Sequence, residues 1–237
     1  MIVSKKLGAL DAQIFFTGIS HALPELSRDN RCQIKRKIAS MLIASIIDSD
    51  VPDFDIKANF LGRPKLILGN GIELSISFSY SPGKVWAAVA QANINCGIDV
   101  AFPSEFFQPY PLERAFSAKE LELAQSVHKF SEPEAAGFIW SAKESIVKAL
   151  GTGYKLCDPL DMSLSWTQNL GDYFQSWFLI SPKLKSRLRI FANAPIETLI
   201  LPEGLGFLSL SGVRAYQSYD RVPGFNTKTV RAIGLRQ

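Results

Sequence analysis

Ile72, Leu74, Ile76, Phe78 and Tyr80 alternate without a break with Glu73, Ser75, Ser77, Ser79 and Ser81. Such a run cannot sit comfortably on a helix, where a period of two would scatter the apolar groups around the axis. On an extended chain it puts every apolar group on one side and every polar group on the other. The alternation therefore predicts a half-buried strand. Pro82-Gly83 turns the chain, and residues 85–90 read as the hairpin partner. Beyond residues 93–96, Gly97-Ile98-Asp99-Val100 reads as a short strand that presents a single acid in an apolar setting. Further strand-like runs fall at 176–180, 188–191, 198–201 and 205–210.

Helical patterns lie around and between these strands. Asp29 or Asn30 is placed to cap a helix reaching about Ile47, with Ile34, Ile38, Met41, Leu42 and Ile46 as its apolar stripe. Residues 50–52 end it, and Gly62-Arg63-Pro64 forms a turn with a cation at its tip. Pro103, Pro109 and Pro111, interleaved with Phe106, Phe107 and Tyr110, suggest a connection between two parts of the chain. A helix is expected over 117–127, and a longer one over 131–150, stopped by Gly151-Thr152-Gly153. Strands and helices mix without regular alternation, so the fold class is α+β.

Composition narrows the chemistry. The 237 residues are 47% hydrophobic and 20% charged, which suits one large globular domain or two smaller ones. The apolar run 38–47 is too short to span a bilayer and carries two serines. Residues 1–10 lack the apolar stretch of a signal peptide. A soluble, cytoplasmic protein that does not enter membranes is expected. Three cysteines without a paired motif argue against a disulfide framework or a structural zinc site. Two histidines leave little for imidazole chemistry, so carboxylates and lysines, with or without a hard metal, are expected to carry any reaction. The net charge of +4 favours a phosphate-rich ligand or an acidic protein partner. No stretch interleaves clustered Lys and Arg with aromatics, so nucleic acid is not expected as a ligand.

The 131–150 helix concentrates the reactive groups. Ser131-Glu132-Pro133-Glu134 has the form of a capping box, with proline tolerated in the first turn. Phe138, Ile139, Ala142, Ile146 and Leu150 make one apolar arc, bordered by Trp140, Glu144 and Lys148. Lys143 falls inside the arc, where it must snorkel or find a buried partner. From the residues alone, Glu144 and Lys148 are equally readable as a surface ion pair.

Trp140-Ser141-Ala142-Lys143-Glu144-Ser145 with Lys148 and the glycine stop closely resembles the W-[ST]-x-K-E-[AS]-x-x-K signature of Sfp-type 4′-phosphopantetheinyl transferases. Gly97-Ile98-Asp99-Val100 resembles that family's G-[IV]-D-[IV] strand, and Phe116-Ser117-Ala118-Lys119-Glu120 its F-S-x-x-E segment. Phe78-Ser79-Tyr80-Ser81 stands where the family has a strand ending in S-H-S, and Gly62-Arg63-Pro64 resembles its G-[KR]-P turn. The five motifs occur in the family's order.

The resemblance implies two pseudo-symmetric α+β halves, 1–102 and 103–237, with coenzyme A in the cleft between them. It implies transfer of phosphopantetheine from coenzyme A to a serine of an apo acyl, peptidyl or aryl carrier protein by a monomer, with release of 3′,5′-ADP. Mg²⁺ would sit on Asp99 and Glu144. Glu144 or Glu120 would accept the serine proton, and Lys148 would steady the bridging phosphate charge. Arg63 of the Gly62-Arg63-Pro64 turn, with Lys35 or Arg36, would meet the 3′-phosphate. Ser79, Tyr80, Ser81 and Lys143 stand at further coenzyme-contact positions. Two residues depart from the pattern: Ala101 replaces an acid common in the family, and Tyr80 replaces its histidine. They leave open a second reading, a weak or silent relative that binds coenzyme A or a carrier protein without transfer.

Overall fold

The computed structural model describes residues 2–21, 27–47, 51–59, 61–90, 93–107, 109–154, 156–188 and 195–214. These form two wholly antiparallel sheets and four α-helices. The first sheet comprises β1 (Val3–Leu7), β2 (Ala12–Ser20), β3 (Phe54–Ala58), β4 (Pro64–Leu68), β5 (Glu73–Ser81) and β6 (Lys84–Ala90), in the order β1-β2-β6-β5-β4-β3. The second comprises β7 (Ile94–Ala101), β8 (Met162–Asn169), β9 (Phe174–Ile180), β10 (Ile196–Glu203) and β11 (Gly206–Arg214), in the order β7-β11-β10-β9-β8. The helices are α1 (Arg28–Ile46), α2 (Ala118–His128), α3 (Glu132–Leu150) and α4 (Pro182–Leu188). None is long and apolar enough to cross a membrane. Mixed elements without βαβ alternation agree with the α+β expectation.

The hairpin read from the alternation is β5–β6, with Ser79 opposite Trp86 and Tyr80 opposite Val85. Its polar face, however, does not meet water. Ser75, Ser77 and Ser79 are only 8%, 4% and 3% exposed, because β7 lies across them. Their hydroxyl oxygens accept the backbone N–H groups of Cys96 at 2.9 Å, Ile98 at 3.1 Å and Val100 at 3.2 Å. On its other edge β7 pairs with β11. The serines thus satisfy the amide donors that an edge strand would otherwise bury unpaired. A row of small hydroxyls lets two sheets meet where bulky side chains would hold them apart. The opposite face of β5, including Ile76 and Phe78, packs under α1 with Ile38, Leu42 and Ile43.

The α3 helix covers the second sheet. Gly97 permits the approach, since a Cβ there would lie 1.8 Å from the Ser145 carbonyl oxygen. Two hydroxyl pairs, Ser141–Ser209 and Ser145–Ser211, each at 2.6 Å, bind the helix to β11. Phe138 packs with Phe130, Phe174 and Phe207 in the core beneath.

The helix boundaries follow from their caps. Ser27, rather than Asp29 or Asn30, caps α1 by accepting the Asn30 N–H at 3.2 Å. Ser117 and Ser131 begin α2 and α3, with Glu120 and Glu134 returning to their backbone N–H groups. Gly151, at φ +73°, ends α3 in the left-handed conformation that favours glycine. The strand expected at 188–191 is corrected at its start, where Leu188 ends α4; residues 189–191 lie outside the described residues.

Candidate active site

Asp99 sits in β7 at the seam between the sheets and is 8% exposed. Its Oδ1 accepts the Ser79 hydroxyl at 3.0 Å and the Lys148 ammonium at 2.6 Å. Lys148 also donates to the carbonyl oxygens of Phe78 and Ile98, each at 3.1 Å. All three ammonium donors therefore have acceptors, one on each sheet and one on the acid between them. The i,i+4 surface pair between Glu144 and Lys148 is not formed. Lys148 turns inward to Asp99, and no cation among the described residues lies within 4 Å of the Glu144 carboxylate.

Glu144 has the more revealing electrostatics. Burial pushes its pKa up to about 7, with the negative charges of Asp99 and Glu105 adding to the rise and Lys148 opposing it. Burial likewise pushes Asp99 above the ordinary carboxylate value, against the pull of Lys148 and Ser79. Trp140, one turn before Glu144, is fixed by stacking on Tyr154 at 5.2 Å and by edge contact with Phe106 and Phe116.

Glu120 and Lys143 are placed elsewhere. They form an ion pair that is 1% and 0% exposed. Lys143 also donates to the Ala115 carbonyl at 2.7 Å, and Glu120 accepts from the Leu164 N–H at 3.3 Å as well as from Ser117. Burial lowers the Lys143 pKa, and the Glu120 charge resists the fall. This pair joins α2, α3 and β8 in the interior. The sequence put Lys143 in the apolar arc with a buried partner as one option, and Glu120 is that partner.

A cavity of about 570 Å³ opens beside Lys148. Its walls include Lys35 and Arg36 of α1, the Gly62-Arg63-Pro64 turn, and Tyr80. Arg63 does not stand at an exposed tip. Its side chain runs back over Gly151, where a Cβ would lie 2.8 Å from Arg63 Cδ, and Nη2 donates to the Ser75 hydroxyl at 2.9 Å. Its Nε is buried without a hydrogen-bond acceptor, and burial lowers its pKa. No carboxylate among the described residues forms an ion pair with it, so an anion entering the cavity would find a partly desolvated guanidinium.

The α1 cations divide. Arg36 donates to the Phe54 carbonyl at 3.3 Å and faces Asp55 at 3.8 Å. Lys35 lies over the rings of Phe78 and Tyr80, at 5.2 and 5.7 Å, and Arg31 reaches the Tyr80 ring at 5.8 Å. Arg31 was not singled out in the sequence, although its i,i+4 spacing to Lys35 is the available signal. Ser79 is committed to Asp99 and Val100, and Ser81 donates to the Lys84 carbonyl within the hairpin turn at 3.4 Å.

Among the described residues no three acidic, histidine or cysteine side chains are grouped as a ready metal site. Asp99 and Glu144 nevertheless fit a hard divalent cation by donor chemistry. They are oxygen ligands whose charges repel each other, and Mg²⁺ commonly uses one or two carboxylates plus water and substrate phosphates.

Residues 95–190 match the family model of the 4′-phosphopantetheinyl transferase superfamily. The match spans less than half of the chain and takes in Asp99, Glu120, Lys143, Glu144 and Lys148. Lys35, Arg36, Arg63 and Tyr80 lie outside it. No match was found among curated proteins. Over residues 95–190 the chain is thus similar to the 4′-phosphopantetheinyl transferase superfamily.

Proposed function

We propose that the chain transfers the 4′-phosphopantetheine arm of coenzyme A to a serine hydroxyl of an apo acyl, peptidyl or aryl carrier protein, releasing 3′,5′-ADP. One observation carries this reading: Lys148 both lines the cationic cavity and bonds Asp99, so the cavity and the buried acid meet at one side chain. The two-half organisation, 1–102 and 103–237, the cleft between the halves and the monomeric state belong to the proposal. In it β7 is the shared strand, covalently part of the first half and paired within the second sheet.

The residues divide the work. Arg63 and Lys35 neutralise the 3′-phosphate, and the Tyr80 hydroxyl donates to it. Arg36, held by Phe54 and Asp55, shapes the rim. Mg²⁺ held by Asp99 and Glu144 supplies positive charge to the pyrophosphate. Lys148 meets the bridging phosphate while it keeps Asp99 ionised. Glu144 takes the serine proton, directly or through water. Glu120 is left with a structural role, because its oxygens are already engaged by Lys143, Ser117 and Leu164.

The second reading, binding without transfer, is favoured by Ala101 and Tyr80. The test is to incubate the protein with coenzyme A, Mg²⁺ and a panel of apo carrier domains, and to weigh each carrier intact. Transfer predicts a phosphopantetheine mass gain that requires coenzyme A. Coenzyme A binding with no carrier modified would establish the second reading instead.

A further inference from the structure

We propose that Ser75 is a positioning residue for Arg63 and thereby sets the cavity's preference for a coenzyme A that carries its 3′-phosphate. The inference rests on the transfer reading above, in which Arg63 meets that phosphate, and concerns a residue outside the family-like motifs.

Arg63 is held at both ends. Its backbone N–H donates to the Asn59 side-chain oxygen at 2.9 Å, and its carbonyl accepts the Asn59 N–H at 2.9 Å. Pro64 then begins β4, which pairs with β5 and sets Lys65 opposite Ser75. The Arg63 side chain passes over Gly151, where a Cβ would lie 2.8 Å from its Cδ and 3.2 Å from its Nη1. The guanidinium ends on β5, with Nη2 donating to the buried Ser75 hydroxyl at 2.9 Å.

Ser75 Oγ accepts twice. Its second donor is the Cys96 N–H, also at 2.9 Å, so one hydroxyl ties the guanidinium to the strand that carries Asp99. The neutrality of this acceptor matters. A carboxylate here would orient the guanidinium but offset much of its charge, whereas a hydroxyl orients it and leaves the charge for an incoming anion. Arg63 Nε, buried without an acceptor, is a donor left for that anion. Ser77, next in the row, provides the comparison: it accepts the Ile98 N–H and, among the described residues, has no hydrogen bond to Arg63. The two serines share the task of satisfying β7, and Ser75 alone also holds the cation.

Dissociation constants for coenzyme A and for 3′-dephospho-coenzyme A would be measured by calorimetry in the wild-type protein, Ser75→Ala, Ser77→Ala and Arg63→Gln, beside thermal melting. The readout is the ratio of the two constants, because a purely structural loss weakens both ligands alike. Wild type is expected to prefer coenzyme A, and Arg63→Gln to lose most of that preference. Ser75→Ala should lower it roughly tenfold, the effect of one lost hydrogen bond to a charged group. Ser77→Ala should melt below wild type yet keep the wild-type ratio. If Ser75→Ala does not fold, Ser75→Cys fills the space with a weak acceptor and reads the same ratio. A wild-type ratio in the Ser75 variant, or an equal fall in Ser77→Ala, with the preference lost in Arg63→Gln, would overturn this inference and leave the transfer reading standing. No preference in wild type, or one that survives Arg63→Gln, would overturn the placing of the 3′-phosphate on Arg63 and this inference with it.

Discussion

Lys143 and Lys148 stand less than two turns apart on α3, and each ends against a carboxylate, yet the two pairs are built for opposite purposes. Lys143 and Glu120 are sealed in the interior, with a carbonyl and two backbone N–H groups completing their shells. Lys148 and Asp99 stand at the seam of two sheets, with Lys148 also lining a cavity of about 570 Å³. The first arrangement satisfies every charge it contains and leaves nothing to bind. The second crowds Asp99 and Glu144 near a single cation and leaves Glu144 with a pKa near 7. A buried pair that is complete specifies packing, whereas an incomplete one specifies a ligand.

The contrast can be broken most sharply by catalysis. Glu144→Gln is expected to lower the transfer rate by about 10²–10⁴-fold, the usual contribution of a positioned base. Lys143→Met is expected to cost about 3–5 kcal/mol in denaturant unfolding, because Glu120 would be left buried without its counter-ion. The double variant Glu120→Gln/Lys143→Met should recover part of that loss.

A pH titration sharpens the difference further. The folded protein holds a proton on Glu144 up to about pH 7, whereas an ordinary glutamate releases it near 4.5. Between those values the native state binds more protons than the unfolded chain, so this residue's contribution to stability falls as pH rises and levels off above about 7. In EDTA, Glu144→Gln should therefore unfold at higher denaturant than wild type at pH 8, by at most about 3 kcal/mol, and the gain should vanish below pH 4.5. A pH-independent difference would contradict this. The smallest effect concerns the seam itself. Ser77→Ala strands the Ile98 N–H and should cost about 1–3 kcal/mol, read by the same unfolding measurement.

Much of this frame was legible beforehand. The β5–β6 hairpin, the Asp99 strand and the helices α2 and α3 follow from period, caps and the glycine stop. What could not be read is what each face meets. A period of two shows that β5 has two faces, not that β7 would seal the serine face through hydroxyl-to-amide bonds. The course of Arg63 over Gly151 depends on how the end of α3 meets the 61–64 turn, a contact between segments far apart in the chain. Arg31 and Lys35 approach Tyr80 only through the way α1 lies on β5.

The most direct test of the division between the two pairs compares Glu144→Gln with Glu120→Gln, measuring initial transfer rate per folded molecule together with unfolding free energy at pH 8. The account predicts that Glu144→Gln loses transfer while keeping or gaining stability. It predicts that Glu120→Gln loses stability while its folded fraction transfers within about an order of magnitude of wild type, well short of the loss expected for a base. Loss of transfer in a stably folded Glu120→Gln, with Glu144→Gln still active, would contradict it.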